Sequence, residues 1–247
     1  FLMLTQPRTI LLTGGTSGIG LAMVEQLLEQ GHQLIVVSRS SDTLSRLKEN
    51  SEQVATYACD LSSRQQTESL IETIKKSHPE LSVVINNAGV QYTPMLLDQD
   101  FDLDSVEFEI KVNFVAPVWI SYLLLPTLIK QTAPAAIVNI SSGLAFAPKT
   151  GSAVYCATKA AIHSISQSLR YQLAGTNVQI CEAILPLVDT PMTAGRGGDK
   201  LSAHEAARQI IRGVKHGKPE IYVGKARLLK PLMRLSPTLV KRIMRRY

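Results

Sequence analysis

Short runs of β-branched and aliphatic residues alternate with amphipathic segments along the whole chain. The apolar runs lie at 9–13, 33–38, 53–58, 81–86, 135–140, 177–185 and 220–224, and the amphipathic segments lie near 19–30, 42–49, 63–77, 102–131, 152–174 and 202–216. Because the apolar runs have no polar face, they are typical of parallel strands that helices cover on both sides. The pattern predicts an α/β fold with a doubly wound, seven-stranded parallel sheet.

The domain organisation follows from the length and from the missing linkers. The chain has 247 residues, and no run rich in Ser, Gly and Pro divides it, so we expect one domain over 1–224 followed by a tail at 225–247. A hydrophobic content of 45% with only 19% charged residues predicts a folded globule rather than a disordered chain.

The tail carries the basic character of the protein. Residues 221–247 hold eight Lys or Arg and no acid, which leaves 18 basic and 20 acidic residues, a net charge of −2, for the remainder. Two interpretations stay open: short helices packed on the body or on another subunit, or a surface that contacts a membrane weakly. Nucleic-acid binding is not expected, because the tail lacks interleaved aromatic residues and a recognition motif.

The cysteines and histidines exclude some classes of protein. Cys59, Cys156 and Cys181 are odd in number and lack CxxC spacing, which fits neither a disulfide framework nor a zinc site. The histidines have no metal-ligand spacing, so we expect no metal. The start of the chain lacks the pattern of a signal peptide, and we expect no run to approach the roughly 18 apolar residues of a spanning helix. A reducing, cytoplasmic location is expected, with the tail allowing contact with the inner face of the membrane.

A glycine-rich turn follows the first predicted strand. The segment GGTSGIG at 14–20 places Gly14, Gly18 and Gly20 just before an amphipathic helix. Such a turn lets the backbone approach a pyrophosphate and present N–H groups at the positive end of a helix, as in Rossmann-type folds. The alternative is a tight strand-to-helix turn that needs glycine for its backbone angles alone.

The end of the second strand indicates which dinucleotide the turn would hold. An NAD site expects an acid about 20 residues after the turn, where it binds the ribose hydroxyls. Here the strand ends with Ser38 and Arg39, so a ribose 2′-phosphate would find a charge-assisted partner instead of a carboxylate. The sequence predicts NADP(H) in preference to NAD(H).

Tyr155 and Lys159 lie four positions apart in a predicted helix, on one face and one turn apart. The spacing alone is weak evidence, since it arises by chance in about every second chain of this size. An ammonium about 4 Å from a phenol is worth on the order of 4 kcal/mol at an effective dielectric near 20 and could lower its pKa by roughly three units. We therefore expect a tyrosine that serves as general acid and base.

Six motifs occur together in a fixed order. They are TGGTSGIG at 13–20, CDL at 59–61, NNAG at 86–89, KVNF with Asn113, NISSG with Ser142, and YCATK at 155–159. With them the chain resembles the short-chain dehydrogenases/reductases over about residues 8 to 224. The segments NFVAP, SSGLAFAP and VDTPM are similar to the DltE-like bacterial oxidoreductase subgroup.

The resemblance implies a catalytic set of Asn113, Ser142, Tyr155 and Lys159. Ser142 would bind the substrate oxygen, Asn113 would orient a water, and Lys159 would also bind the nicotinamide ribose. Alternative interpretations remain for each: a turn residue for Ser142, a local backbone bond for Asn113 and packing for Tyr155.

The resemblance also implies the residues that hold the cofactor, with Asp60 and Leu61 beside the adenine and Thr190 near the nicotinamide or the phosphates. The full set is Gly14, Thr16, Ser17, Gly18, Ile19, Gly20, Ser38, Arg39, Asp60, Leu61, Asn87, Ala88, Gly89, Tyr155, Lys159, Pro186 and Thr190. One departure affects the substrate side: Leu187 follows Pro186 where the family usually has glycine.

The function predicted on this basis is hydride transfer between a nicotinamide and a carbonyl or alcohol. The loops at 143–154 and 187–198 contain Leu144, Phe146, Val154, Leu187 and Met192, which favours a small apolar or mixed carbonyl compound. A homodimer or homotetramer is expected because both are common in the family. The alternative is a non-catalytic nucleotide-sensing or scaffold protein on the same fold.

Overall fold

A computed structural model describes residues 3–245. Its main sheet contains seven strands, which are β1 (Thr9–Thr13), β2 (Gln33–Ser38), β3 (Val54–Ala58), β4 (Leu81–Asn86), β5 (Ala135–Ser142), β6 (Val178–Leu185) and β9 (Glu220–Tyr222). The strand order is β3-β2-β1-β4-β5-β6-β9, and every neighbouring pair is parallel. The predicted doubly wound sheet is confirmed.

Helices cover both faces of this sheet. They are α1 (Gly18–Glu29), α2 (Ser41–Glu49), α3 (Arg64–Ser77), α4 (Leu103–Ile110), α5 (Ala116–Ile129), α6 (Ala153–Gln172) and α7 (Ala203–Lys215). Alternate residues of a strand enter opposite cores: Ile10 and Leu12 pack with α1 and α7, whereas Leu11 packs with α3 and α5. The chain leaves β1 towards β2 and returns to β4 on the other side. A crevice is therefore expected at the carboxyl ends of β1 and β4.

The segment predicted as one helix over 102–131 is interrupted. Residues Lys111–Val115 form a π-helical stretch between α4 and α5. Such a stretch is a single-turn bulge, common at functional sites, and it rotates the side chains that follow it relative to those before it.

The expectation that no segment is apolar enough to span a membrane is wrong. The continuous helix Leu103–Ile129 has an 18-residue window of mean hydropathy 1.7. Ala116, Ile120, Leu124 and Leu128 are almost fully buried against the sheet, however. The high hydropathy therefore fits a core helix of the α/β fold.

Four smaller elements lie outside the main sheet and the helices that cover it. The strands β7 (Val188–Asp189) and β8 (Leu201–Ser202) pair in parallel and bracket the loop on the substrate side, an arrangement too short for a sequence pattern to predict. Ser202 then caps α7 by accepting a hydrogen bond from the Glu205 N–H at 3.2 Å. The tail forms two short helices, α8 (Leu229–Leu235) and α9 (Pro237–Met244).

Candidate active site

The glycine turn joins β1 to α1 through backbone that no larger residue could form. Gly14 has φ +70°, and a Cβ at this position would lie 2.8 Å from the Ala88 Cα. A Cβ at Gly20 would lie only 2.0 Å from the Gly14 carbonyl oxygen. Ser17 occupies the N-cap position of α1, and its side chain makes no capping hydrogen bond within residues 3–245. The first N–H groups of α1 therefore remain available to an anion.

Asn87 holds this turn in place. Its Nδ2 donates to the carbonyl oxygens of Thr13 and Gly14, each at 3.0 Å. The Thr13 hydroxyl accepts hydrogen bonds from the N–H groups of Asn87 and Ala88 at 3.1 and 3.0 Å. The segment after β4 is thus bonded to the end of β1, where the crevice opens.

A cleft of about 270 Å³ lies over the carboxyl ends of the strands. Its lining includes every predicted cofactor residue except Pro186: Gly14, Thr16, Ser17, Gly18, Ile19, Gly20, Ser38, Arg39, Asp60, Leu61, Asn87, Ala88, Gly89, Tyr155, Lys159 and Thr190. Pro186 lies beside the cleft, with its ring near Gly224. The cleft is also lined by residues that the sequence analysis did not assign to the cofactor: Val37, Cys59, Val90, Val112, Ile140, Ser141, Leu185, Pro191 and Met192.

One end of the cleft carries Ser38 and Arg39. The Ser38 and Thr16 hydroxyls are 2.9 Å apart, which ties the end of β2 to the glycine turn. Arg39 is exposed, and its guanidinium carbon lies 5.4 Å from the centre of the Phe108 ring. This cation–π contact restrains the cation at the rim of the cleft.

Tyr155 and Lys159 lie on the same face of α6, and the Lys159 Nζ is 5.4 Å from the centre of the Tyr155 ring. Burial raises the pKa of the Tyr155 phenol above its ordinary value, and Cys156 and Glu109 raise it further, while Arg196 lowers it. The pKa of Tyr155 is thus raised overall, chiefly by burial, where the sequence predicted a lowering by Lys159.

Lys159 is 5% exposed, and its Nζ donates to the Ile140 carbonyl oxygen at 2.8 Å. Burial lowers the pKa of Lys159 to about 8, against the opposing effect of the Glu109 and Glu182 carboxylates. The ammonium form still predominates at neutral pH. Lys159 thus supplies a positive charge at the floor of the cleft.

Two serines end β5. The Ser142 hydroxyl accepts a hydrogen bond from the Leu144 N–H at 3.2 Å, and Ser142 begins the loop on the substrate side of Tyr155. The neighbouring Ser141 lines the cleft, and its buried Oγ has no hydrogen-bond partner within residues 3–245. The family resemblance implied Ser142 and did not indicate Ser141.

Asn113 lies in the π-helical stretch and is 1% exposed. Its Nδ2 donates to the Val90 carbonyl oxygen and its Oδ1 accepts from the Val90 N–H, both at 2.8 Å. A Cβ added to Gly89 would lie 3.3 Å from this Oδ1 and 3.9 Å from the Lys159 Nζ. Asn113 also donates to the Thr158 hydroxyl at 3.3 Å and so fixes the segment after β4 against α6.

Glu109 is a buried carboxyl group that the sequence analysis missed. It is 2% exposed, and its Oε1 accepts a hydrogen bond from the Tyr92 N–H at 3.4 Å. Desolvation raises the pKa of Glu109 to about 7, partly offset by that bond and by Lys159. One acid in an amphipathic helix looks solvent-exposed in the sequence, and only the packing of α4 against α6 reveals its burial.

The chemistry of the cleft fits a dinucleotide. The glycine cradle leaves no room for a Cβ, the N–H groups of α1 face the cleft, and Ser141 offers an unpartnered hydroxyl on its floor. Within the described part of the chain, no group of three or more His, Cys, Asp and Glu is placed to hold a metal ion.

Comparison with solved structures shows the same fold. A short-chain dehydrogenase from Burkholderia cenocepacia in complex with NADP superposes with a TM-score of 0.87 at 22% identity, covering 98% of this chain and 99% of that one. A short-chain dehydrogenase/reductase from Burkholderia phymatum in complex with NAD gives 0.85 at 20% identity, covering 96% of each chain.

Sequence comparison finds a curated relative and a matching family model. The chain is 41% identical over 225 residues to the uncharacterized oxidoreductase DltE of Bacillus subtilis, covering 86% of each protein. This agrees with the expected DltE-like subgroup. The family model for short chain dehydrogenases matches residues 8–200. The chain belongs to the short-chain dehydrogenase family.

Proposed function

We propose that this oxidoreductase transfers a hydride between NADP(H) and a small carbonyl or alcohol substrate, with Tyr155 as general acid and base. The observation that carries the proposal is the convergence of Tyr155, Lys159 and Ser141 on a cleft whose other end is the glycine cradle. When bound there, the nicotinamide would supply the hydride. Proton transfer, charge stabilisation and substrate binding are assigned to side chains of the protein.

Proton transfer is the task of Tyr155. A carbonyl that gains a hydride leaves an oxyanion that needs a proton, and the reverse reaction needs a base for the alcohol. Because burial raises the pKa of Tyr155, its phenol keeps the proton at neutral pH and is suited to donate it. The Lys159 ammonium would then stabilise the phenolate that remains, and Ser142, at the end of β5, is assigned to bind the substrate oxygen.

NADP(H) is favoured over NAD(H) by the charge at the adenosine end of the cleft. Arg39 lies on the rim and Ser38 replaces the acid that would repel a 2′-phosphate. Asp60 is the acid of this region, and its Oδ1 accepts hydrogen bonds from the N–H and hydroxyl of Ser62. Its carboxylate is therefore engaged locally.

The substrate is proposed to be a small apolar or mixed carbonyl compound. Met192 and Leu185 line the nicotinamide end of the cleft. A Cβ at Gly197 would lie 2.8 Å from the Leu187 Cδ2, so Leu187 fills space beneath the loop of residues 187–198. The cation of this loop, Arg196, donates to the Gln91 Oε1 at 2.6 Å and is engaged there.

The test is a panel of carbonyl compounds and alcohols, with the absorbance of NADPH followed over time. Wild-type protein is expected to turn over at least one compound. Tyr155→Phe is expected to lower kcat by 10² to 10⁴, the usual contribution of general acid–base catalysis, while it still binds NADPH. A Tyr155→Phe variant with wild-type kcat would contradict the assigned role.

The same experiment separates the enzyme from the alternative of a nucleotide sensor. NADPH binding without turnover of any compound in the panel would favour the sensor. Tyr222 offers a matched control, since Tyr222→Phe removes a partly buried phenol whose hydroxyl donates to Glu220 and lies outside the cleft lining. This variant is expected to keep its activity.

Assembly into a homodimer or homotetramer is part of the proposal. Tyr122 on α5 and Tyr171 on α6 are 76% and 70% exposed, and Ile129 is also exposed. Large apolar and aromatic groups on adjacent helices are typical of subunit contacts. The three cysteines are free and buried, which favours a reducing, cytoplasmic location.

A further inference from the structure

The tail presents an outward face that no described part of the chain covers. This tail surface consists of the exposed side chains of the turn Gly224–Leu228, of α8 and of α9. Its apolar members are Leu228, Leu232, Leu235, Leu239 and Ile243. Leu235 is 82% exposed, which is costly in water unless something else covers it.

Cations are interleaved with these apolar groups. Arg234, Lys241, Arg242 and Arg245 are exposed, and none forms an ion pair with any residue from 3 to 245. Residues 224–245 contain no Asp or Glu. The tail surface thus combines exposed apolar side chains with charged side chains that are all positive.

The opposite side of the tail is fastened to the body. Val240 is 5% exposed, and the Thr150 hydroxyl donates to the Arg245 carbonyl oxygen at 2.7 Å. The Leu229 Cδ2 lies 3.4 Å from the position of a Cβ on Gly143, the residue after Ser142. These contacts hold the tail surface in a fixed orientation beside the loop on the substrate side.

We propose that the tail surface binds the surface of an anionic lipid bilayer. The leucines would enter the boundary between headgroups and acyl chains, while the arginines and lysines reach outward to the headgroups. A second copy of the chain is a poorer match, because an apolar subunit contact would bury four cations without acidic partners. The fixed position of α8 and α9 then places the substrate loop close to the bilayer.

The test is co-sedimentation of the full chain with vesicles. Phosphatidylglycerol mixed with phosphatidylcholine is compared with phosphatidylcholine alone, at low and at high salt. Binding is expected with the anionic vesicles only and is expected to fall as salt increases. The triple variant Arg234→Gln, Lys241→Gln, Arg242→Gln is expected to bind at least tenfold more weakly, because each cation near a charged surface contributes about fivefold.

The apolar part of the surface is tested by Leu235→Ser combined with Leu239→Ser, which is also expected to weaken binding. Matched controls change the same residue types elsewhere: Arg46→Gln, Lys48→Gln, Lys76→Gln for charge, and Leu97→Ser for an exposed leucine. These controls are expected to bind like wild type. Thermal unfolding of each variant shows whether it is folded.

Two results would overturn the proposal. One is equal binding by wild type and both tail variants, or no binding to anionic vesicles by folded wild type. The other is a change in oligomeric state, without lipid, when the tail leucines are replaced, which would make this face a subunit contact. Neither result depends on turnover, so the proposal fails or stands independently of the proposed function.

Discussion

The cleft has a cofactor side at the glycine turn and a substrate side at the loop of residues 187–198, and the two differ in how closely the backbone is packed. On the cofactor side the backbone segments after β1 and β4 approach so closely that Gly14 and Gly20 leave no space for a Cβ. On the substrate side, a Cβ at Gly195 or Gly198 would meet nothing within 4 Å. Contact with backbone fixes the residue types on the first side, whereas the close contact on the second side, from a Cβ on Gly197 to the Leu187 Cδ2 at 2.8 Å, is with a side chain.

This difference explains why the cofactor side indicates the protein family, whereas the substrate side determines which substrate is bound. Close backbone approach admits only glycine at these positions, so the cofactor side carries a motif that identifies the family. A loop with free space around it can carry many side chains and determines the substrate through them. The comparison can be tested by changing one side and then the other.

The largest effect is expected from Gly20→Ala. The new methyl group would lie 2.0 Å from the Gly14 carbonyl oxygen, a backbone atom that can move only if the turn opens. NADPH binding, measured by calorimetry, is expected to be lost, and the free energy of unfolding is expected to fall by about 1–3 kcal/mol.

Gly198→Ala is the matched change on the substrate side. The added methyl group meets no neighbour, and Gly198 does not have a positive φ. NADPH affinity is expected to be unchanged and stability to stay within about 0.5 kcal/mol of wild type. Equal losses in the two variants would refute the contrast between the two sides.

A smaller effect, within the cofactor side, is expected from Arg39→Asp. The variant removes a cation at the rim of the cleft and adds a carboxylate that would repel a 2′-phosphate. We expect the ratio of NADP to NAD affinity to fall about 100-fold, as measured by calorimetry with both dinucleotides. Arg46→Asp makes the same change on α2, outside the cleft lining, and is expected to leave the ratio unaltered. An unaltered ratio in Arg39→Asp would exclude a role of Arg39 in binding the 2′-phosphate.

Much of the fold could be predicted from the sequence because the strands are buried on both faces. An apolar run such as the one that becomes β4 has little alternative to a central strand, and its predicted bounds match Leu81–Asn86. The π-helical stretch at Lys111–Val115 could not be predicted, since one extra residue in a helical turn barely alters the hydrophobic period.

The candidate site could be predicted where a motif reflects a local constraint. The glycine turn and the Tyr155–Lys159 pair are such motifs. The ionisation of Tyr155 could not be predicted from spacing, because desolvation depends on the groups that surround the phenol in three dimensions. Glu109 was missed for the same reason, since its burial comes from helices distant in the sequence.

An effect confined to the pH dependence of stability is expected from Glu109→Gln on the substrate side. Glu109 lines a small cavity with Ser152, whose buried Oγ has no partner within residues 3–245. Burial raises the pKa of Glu109 from 4.5 to about 7, so the folded protein binds this proton more tightly than the unfolded chain does. The resulting stabilisation is complete below about pH 4.5 and is lost as pH rises through 7.

From pH 5 to pH 8, the wild type is therefore expected to lose on the order of 2 kcal/mol of unfolding free energy relative to Glu109→Gln, as measured by urea denaturation. Glu107→Gln is the matched control on α4, because Glu107 is exposed and pairs with Lys111 at 2.8 Å. Its pH dependence is expected to follow wild type. A Glu109→Gln variant with the wild-type pH dependence would mean that the carboxyl group is hydrated and ionised in the folded protein.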